Sequence, residues 1–148
     1  DLYLPVLNKI IIESANVFID TVNTVTNPEI SFDLRNQANL ELGKWGNSQF
    51  PLALVASNGQ KALFSLDSSN FVERSGKFIN VEIKTSNASF TVGNYAWIKD
   101  LRLQINGQSR ANIGNNSRID SLSGYISDSS QVSANWKNIK ILEALTKK

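Results

Sequence analysis

The stretch Leu101-Arg102-Leu103-Gln104-Ile105-Asn106-Gly107 decides how the rest of this chain is read. Three apolar side chains alternate with polar ones and run straight into Asn-Gly. Alternation with period two marks a strand with one buried and one wet face. Asn-Gly is the pair favoured at the two central positions of a type I′ hairpin turn, where both residues need positive φ. Read together, they predict an antiparallel neighbour on the far side of Gly107.

The same pattern extends in both directions. Val17 and Ile19, Phe32 and Leu34, Leu40 and Leu42, Leu52 and Leu54, and Phe64 and Leu66 alternate with polar residues. So do Ile79, Val81 and Ile83, then Phe90 and Val92, and finally Ile139 and Ile141. Turn-forming clusters separate the runs: Thr26-Asn27-Pro28, Lys44-Trp45-Gly46-Asn47, Ser57-Asn58-Gly59, Asp67-Ser68-Ser69-Asn70, Ser75-Gly76, Gly93-Asn94 and Gly114-Asn115-Asn116. Alternating runs joined by short polar turns predict an all-β fold, an antiparallel β-sandwich or jelly roll of about nine strands. No internal repeat stands out.

The 148 residues are enough for one self-sufficient core, so residues 1–148 are read as a single domain. The N-terminal segment has two readings. Leu4, Leu7, Ile11, Phe18, Val22 and Val25 fall at helical spacings, with Pro5 suited to a first helical turn. Ile10 to Val25 is nonetheless dense in β-branched residues, which favour strands and leave a short N-terminal helix as the alternative. Near the other end, Trp136 and the pair Ile139 and Ile141 have opposite parity, so a C-terminal strand would need a β-bulge near Lys137-Asn138 to bury all three.

Composition limits the chemistry. The chain has no Cys, His or Met, which removes the thiolate nucleophile and the side chain that titrates near neutrality. Fifteen basic and thirteen acidic residues are interspersed, for a formal charge of +2, so no concentrated basic face is expected for nucleic acid. No apolar run approaches the length of a membrane-spanning helix. The chain begins at Asp1 and shows no signal peptide, as expected of a processed form. A surface built from Asn, Ser, Thr and Gln suits an extracellular or cell-surface protein.

Those side chains favour binding over turnover, and no enzyme activity is expected. The expected ligand-binding residues are Trp45, Asn47, Tyr95 and Trp97. An exposed indole or phenol stacks on the apolar face of a sugar ring while amides read its hydroxyls. Core packing is the competing reading for each indole; the loop around Trp45 favours exposure and the run after Trp136 favours burial. Glu82 and Asp100 are acids on strands, but nothing in the sequence pairs them as a catalytic acid and base. Asp120 to Ser130 and Asp67 to Asn70 are rich in oxygen ligands of the kind Ca²⁺ accepts, yet neither has EF-hand spacing, and Asx and Ser turns account for both. No cofactor is expected. Asn87-Ala88-Ser89 and Asn115-Asn116-Ser117 are glycosylation sequons.

The segment Ile10 to Leu42, with Thr26-Asn27-Pro28 followed by Ser31-Phe32-Asp33-Leu34, resembles the opening of water-stress and late-embryogenesis-abundant β-sandwich domains. Asn135-Trp136-Lys137-Asn138-Ile139-Lys140-Ile141 is similar to the last strand of concanavalin-like carbohydrate-binding sandwiches. Both imply a sandwich and neither brings a functional residue with it. The function expected is a non-catalytic recognition module whose partner is a glycan or another cell-surface ligand. The alternative is a structural subunit of a fibre, pilus or capsid-like assembly that self-associates by donating its N-terminal segment as a strand.

Overall fold

The computed structural model describes residues 9–19, 29–42, 61–135 and 137–148, with the side chains of 74–77, 94 and 95 outside that set. Eleven strands are present among them: β1 Lys9–Glu13, β2 Asn16–Ile19, β3 Glu29–Arg35, β4 Asn39–Leu42, β5 Lys61–Asp67, β6 Asn70–Ser86, β7 Ser89–Asn106, β8 Arg110–Ile113, β9 Arg118–Ile126, β10 Gln131–Ala134 and β11 Thr146–Lys147. Every pairing between them is parallel. The chain is therefore a β-solenoid of about five turns, which overturns the antiparallel sandwich or jelly roll.

Each turn lays one strand on each of two stacks. The first stack holds β1, β3, β5, the later parts of β6 and β7, β9 and β11. The second holds β2, β4, the starts of β6 and β7, β8 and β10. Between them the chain turns a corner, and the corner residue is left-handed in successive turns: Ser14 at φ 53°, Asn36 at 52°, Ser68 at 46°, Asn87 at 49° and Gly107 at 66°. A bond repeats with it. Asn39, Asn70, Ser89, Arg110 and Gln131 each donate a backbone N–H to the preceding turn, to Ala15, Ala38, Ser69, Ala88 and Ser109, at 2.8–3.0 Å.

This corner explains why the hairpin reading failed. A type I′ turn needs two successive residues at positive φ. At Asn106-Gly107 only the glycine has it, so the chain bends once into β8 instead of doubling back. Turn-favouring residues at 67–70 and 106–107 are used as corners, and Asn58-Gly59 lies outside the described residues. Alternation, for its part, carries no strand direction. Parallel sheets are usually buried on both faces and so seldom alternate. Here the sheets wrap one core and keep their outer faces wet, which restores the alternation.

The interior is a set of side-chain ladders. Ile10, Phe32, Phe64, Ile83 and Leu103 occupy one register position, and Val17, Leu40, Phe71, Phe90, Ala111 and Val132 another. Phe32 stacks on Phe64 at 5.0 Å between centroids, and Phe64 on Phe71 at 4.3 Å. The repeat exists, contrary to the sequence reading, but it is conserved in polarity and not in residue type. The step between the corners at 36 and 68 also contains residues 43–60, which lie outside the described set.

The N-terminal ambiguity resolves as strands over 9–13 and 16–19. At the C-terminus, Ile139–Ala144 is a 3-10 helix, so Ile139 and Ile141 are not on a strand and no bulge is required there. Trp136 lies outside the described residues. Asn138, 9% exposed, ties the helix down: its Nδ2 donates to the carbonyls of Gly114 (3.0 Å) and Ser117 (3.2 Å) and lies 3.2 Å from the Ser117 hydroxyl.

Candidate functional site

Parallel, in-register stacking brings outward side chains from distant parts of the chain into rows. On the first stack, Lys9, Ser31, Leu63, Glu82, Arg102 and Ser123 share one row. Ile11, Asp33, Ser65, Lys84, Gln104 and Tyr125 share the next. The small side chains of Ser31 and Ser65 leave a shallow depression of about 470 Å³ between taller neighbours. Its rim holds three lysines, Lys9, Lys61 and Lys84, and three carboxylates, Glu29, Asp33 and Glu82, so its formal charge is zero.

Two of these carboxylates are mostly buried, with side chains 16% (Asp33) and 13% (Glu82) exposed. The Arg35 guanidinium donates to Asp33 from Nε at 3.1 Å and from a second nitrogen, which outweighs the upward push of burial; Lys9 Nζ adds a contact at 3.8 Å. Asp33 is thereby held below the ordinary carboxylate range. Burial pushes Glu82 up, and Lys61 at 3.3 Å and Lys84 at 3.5 Å more than reverse it. Gln104 also donates to Glu82 at 3.3 Å. Both groups are ionised and ready to accept hydrogen bonds at neutral pH, and neither is poised to give up a proton.

A third carboxylate behaves in the opposite way. Glu73 sits in the interior ladder Ile19, Leu42, Glu73, Val92, Ile113, Ala134, where every other rung is apolar. It is 2% exposed, and neither carboxylate oxygen has a hydrogen-bond partner among the described residues. Burial pushes its pKa up to about 8. The strand register shifts between Glu73 and Ser75, immediately after it. The sequence carries the signal, since Phe71, Val72 and Glu73 put an acid at the apolar parity.

Of the residues expected from sequence, Trp97 does not line this depression. Trp45 and Asn47 lie outside the described residues. Tyr95 pairs with Ser75 between β6 and β7, and its side chain is outside the described set. Trp97, half-buried, carries the Arg118 guanidinium 4.4 Å from its ring centroid, so one face of the indole already holds a cation. Glu82 and Asp100 stand on neighbouring strands two residues out of register, with Glu82 committed to its lysines.

The oxygen-rich stretches serve the corners. The hydroxyls of Ser127, Ser129 and Ser130 all donate to the Gly107 carbonyl, at 3.1, 2.7 and 2.6 Å. Asn87 accepts the Gln108 N–H at 2.9 Å through its side-chain oxygen. Outside the second stack, Asn16, Asn39, Asn70 and Ser89 form a ladder in which each side chain donates to the one before, at 2.6, 2.9 and 2.5 Å. Among the described residues there is no cluster of three acidic, His or Cys side chains placed to hold a metal, and no helix long and apolar enough to cross a membrane.

No model of a protein family, no curated protein and no solved structure matches the chain.

Proposed function

We propose that the chain is a non-catalytic recognition module of a cell surface or extracellular protein, and that it binds a neutral glycan across the rows of its first stack. The observation that carries this reading is the depression at Ser31 and Ser65, where charges of both signs line the rim and cancel. Carboxylates bound to lysines still have free lone pairs, and the lysines further donors; such groups read sugar hydroxyls without calling for a charged ligand. Rungs recur about every 4.8 Å along the solenoid, so an extended polymer lying along the axis meets a new set of these groups at each rung. The ionised, ion-paired state of Asp33 and Glu82 supports binding over acid catalysis. Retention on immobilised neutral polysaccharides tests the reading, with Ser65→Tyr to fill the depression. Retention that falls at least ten-fold in the variant, with an unchanged melting temperature, supports it. No retention of the parent protein, or equal retention of both, refutes it.

The second reading is the structural subunit. Ile11 and Phe18, 56% and 48% exposed, both lie on the first turn, which favours contact with another molecule there. Against a donated strand, β1 pairs with β3 of its own chain and buries Ile12 to 4% exposure. A monomer in light scattering across a hundred-fold concentration range would rule this reading out.

A further inference from the structure

A second concavity, of about 300 Å³, lies at the corner between the two stacks in the middle turns of the solenoid. Four successive corners build it: Gln37 from the first, Ser68 from the second, Asn87 with Ser89 from the third, and Gln108 with Arg110 from the fourth. It differs from the depression on the first stack in charge. Among the described residues that line it there is no carboxylate and only Ala88 is apolar, so its formal charge is +1, from Arg110.

The hydrogen bonds of the corner fix what each group has left to offer. Asn39, Asn70, Ser89 and Arg110 share one outward row. Asn70 donates to Asn39 and Ser89 to Asn70, so these side chains are tied to one another. Arg110 stands on the next rung and breaks the ladder: it is exposed, and its guanidinium has no acceptor among the described residues. Beside it, Asn87 Oδ1 accepts the Gln108 N–H at 2.9 Å. That close approach needs glycine at 107, where a Cβ would lie 2.5 Å from the same oxygen. With its oxygen held against the corner, Asn87 offers a ligand its Nδ2. The concavity therefore combines an unneutralised guanidinium with amide and hydroxyl groups.

We infer that this corner binds one acidic sugar unit, a uronic acid, with Arg110 holding its carboxylate and Asn87, Gln37 and Gln108 reading its hydroxyls. A guanidinium presents its N–H groups as a planar fork that matches a carboxylate bidentately, and one cation calls for one negative charge. The rest of the lining decides between a sugar and an acidic peptide. A glutamate side chain brings an apolar stem that amides and hydroxyls do not favour, whereas a sugar ring brings hydroxyls to pair with them. The inference stands apart from the neutral-glycan reading, because this corner and the first-stack depression share no residue.

The test titrates the full chain, labelled with nitrogen-15, with methyl β-D-glucuronide and follows its amide resonances by NMR. Saturable shifts are expected at the Gln108 and Ser89 backbone amides and at the Asn87 side-chain amide. Methyl β-D-glucoside, which lacks the charge, and acetyl-glutamate amide, which lacks the sugar hydroxyls, should each bind about ten-fold more weakly or worse, as loss of hydrogen bonds to a charged group or of several neutral ones implies. Arg110→Gln should weaken the glucuronide to a similar degree without changing the melting temperature, since Gln131 already fills the same row one turn on. Ser65→Tyr should leave the affinity unchanged. Absence of saturable shifts at this corner, equal binding of the glucoside or of acetyl-glutamate amide, no effect of Arg110→Gln, or loss of binding in Ser65→Tyr would each overturn the inference.

Discussion

Replacing Glu73 by Gln should make the protein more stable at neutral pH, and the size of the gain follows from the burial of this one carboxyl. In the unfolded chain it titrates at its ordinary value of 4.5, whereas in the fold its pKa is pushed up to about 8. Below pH 4.5 it is protonated in both states and has no effect on the pH dependence. Between 4.5 and about 8 the unfolded chain releases the proton and the folded chain keeps it, so stability falls as pH rises. Above about 8 both states are ionised and the loss levels off. At pH 7 the separation between the two titrations corresponds to about 3 kcal/mol, at 1.36 kcal/mol per pH unit. Gln has nearly the same shape and cannot ionise, so it isolates this effect from packing. Urea unfolding at pH 5, 7 and 8.5 reads it out: the parent should lose stability from 5 to 7, and the variant should lose about 2.5 kcal/mol less over that interval. Asp33 and Glu82 act with the opposite sign, because their lowered pKa values contribute stability that is lost only as pH falls below the carboxylate range. A parent protein equally stable at pH 5 and 7, with a constant offset from Glu73→Gln, would refute the assignment of Glu73 as a core carboxyl kept protonated by burial.

Gly124, at φ 119°, faces Leu103 so closely that a Cβ would lie 1.8 Å from its carbonyl oxygen; Gly124→Ala should separate β7 from β9 and cost about 3 kcal/mol or more, measured by chemical denaturation. Phe64→Ala removes the middle ring of the Phe32, Phe64, Phe71 stack, and a loss of about 3 to 5 kcal/mol is expected. Asn138→Ala leaves the Gly114 and Ser117 carbonyls without their amide donor; about 2 kcal/mol should be lost, with faster hydrogen exchange confined to the 3-10 helix and β11.

Much of the interior is legible in the sequence. The alternating pairs Phe32 and Leu34, Leu40 and Leu42, Phe64 and Leu66, and Phe90 and Val92 are all buried, as their parity implies. The corners too fall on turn-favouring residues. Strand direction is what the sequence hides. A left-handed Gly107 serves a hairpin or a solenoid corner equally well, and the choice depends on where Arg110 finds its hydrogen-bond partner, Ala88, across a whole turn. The depression was out of reach for the same reason: Lys61 meets Glu82 only once the register between β5 and β6 is known. An indole is equally at home against a sugar or a guanidinium, which sequence does not distinguish, and Arg118 lies over the ring of Trp97.

Cysteine cross-linking tests the parallel register most directly, since the chain has no cysteine of its own. Lys84 and Gln104 are in register on β6 and β7 with both side chains outward, whereas a hairpin at Asn106-Gly107 would instead set Gln104 opposite Ser109. Neighbouring strands lie about 4.8 Å apart, within disulfide reach. The solenoid predicts that Lys84→Cys with Gln104→Cys closes a disulfide readily under mild oxidation while Gln104→Cys with Ser109→Cys does not; efficient closure of the second pair and failure of the first would contradict it.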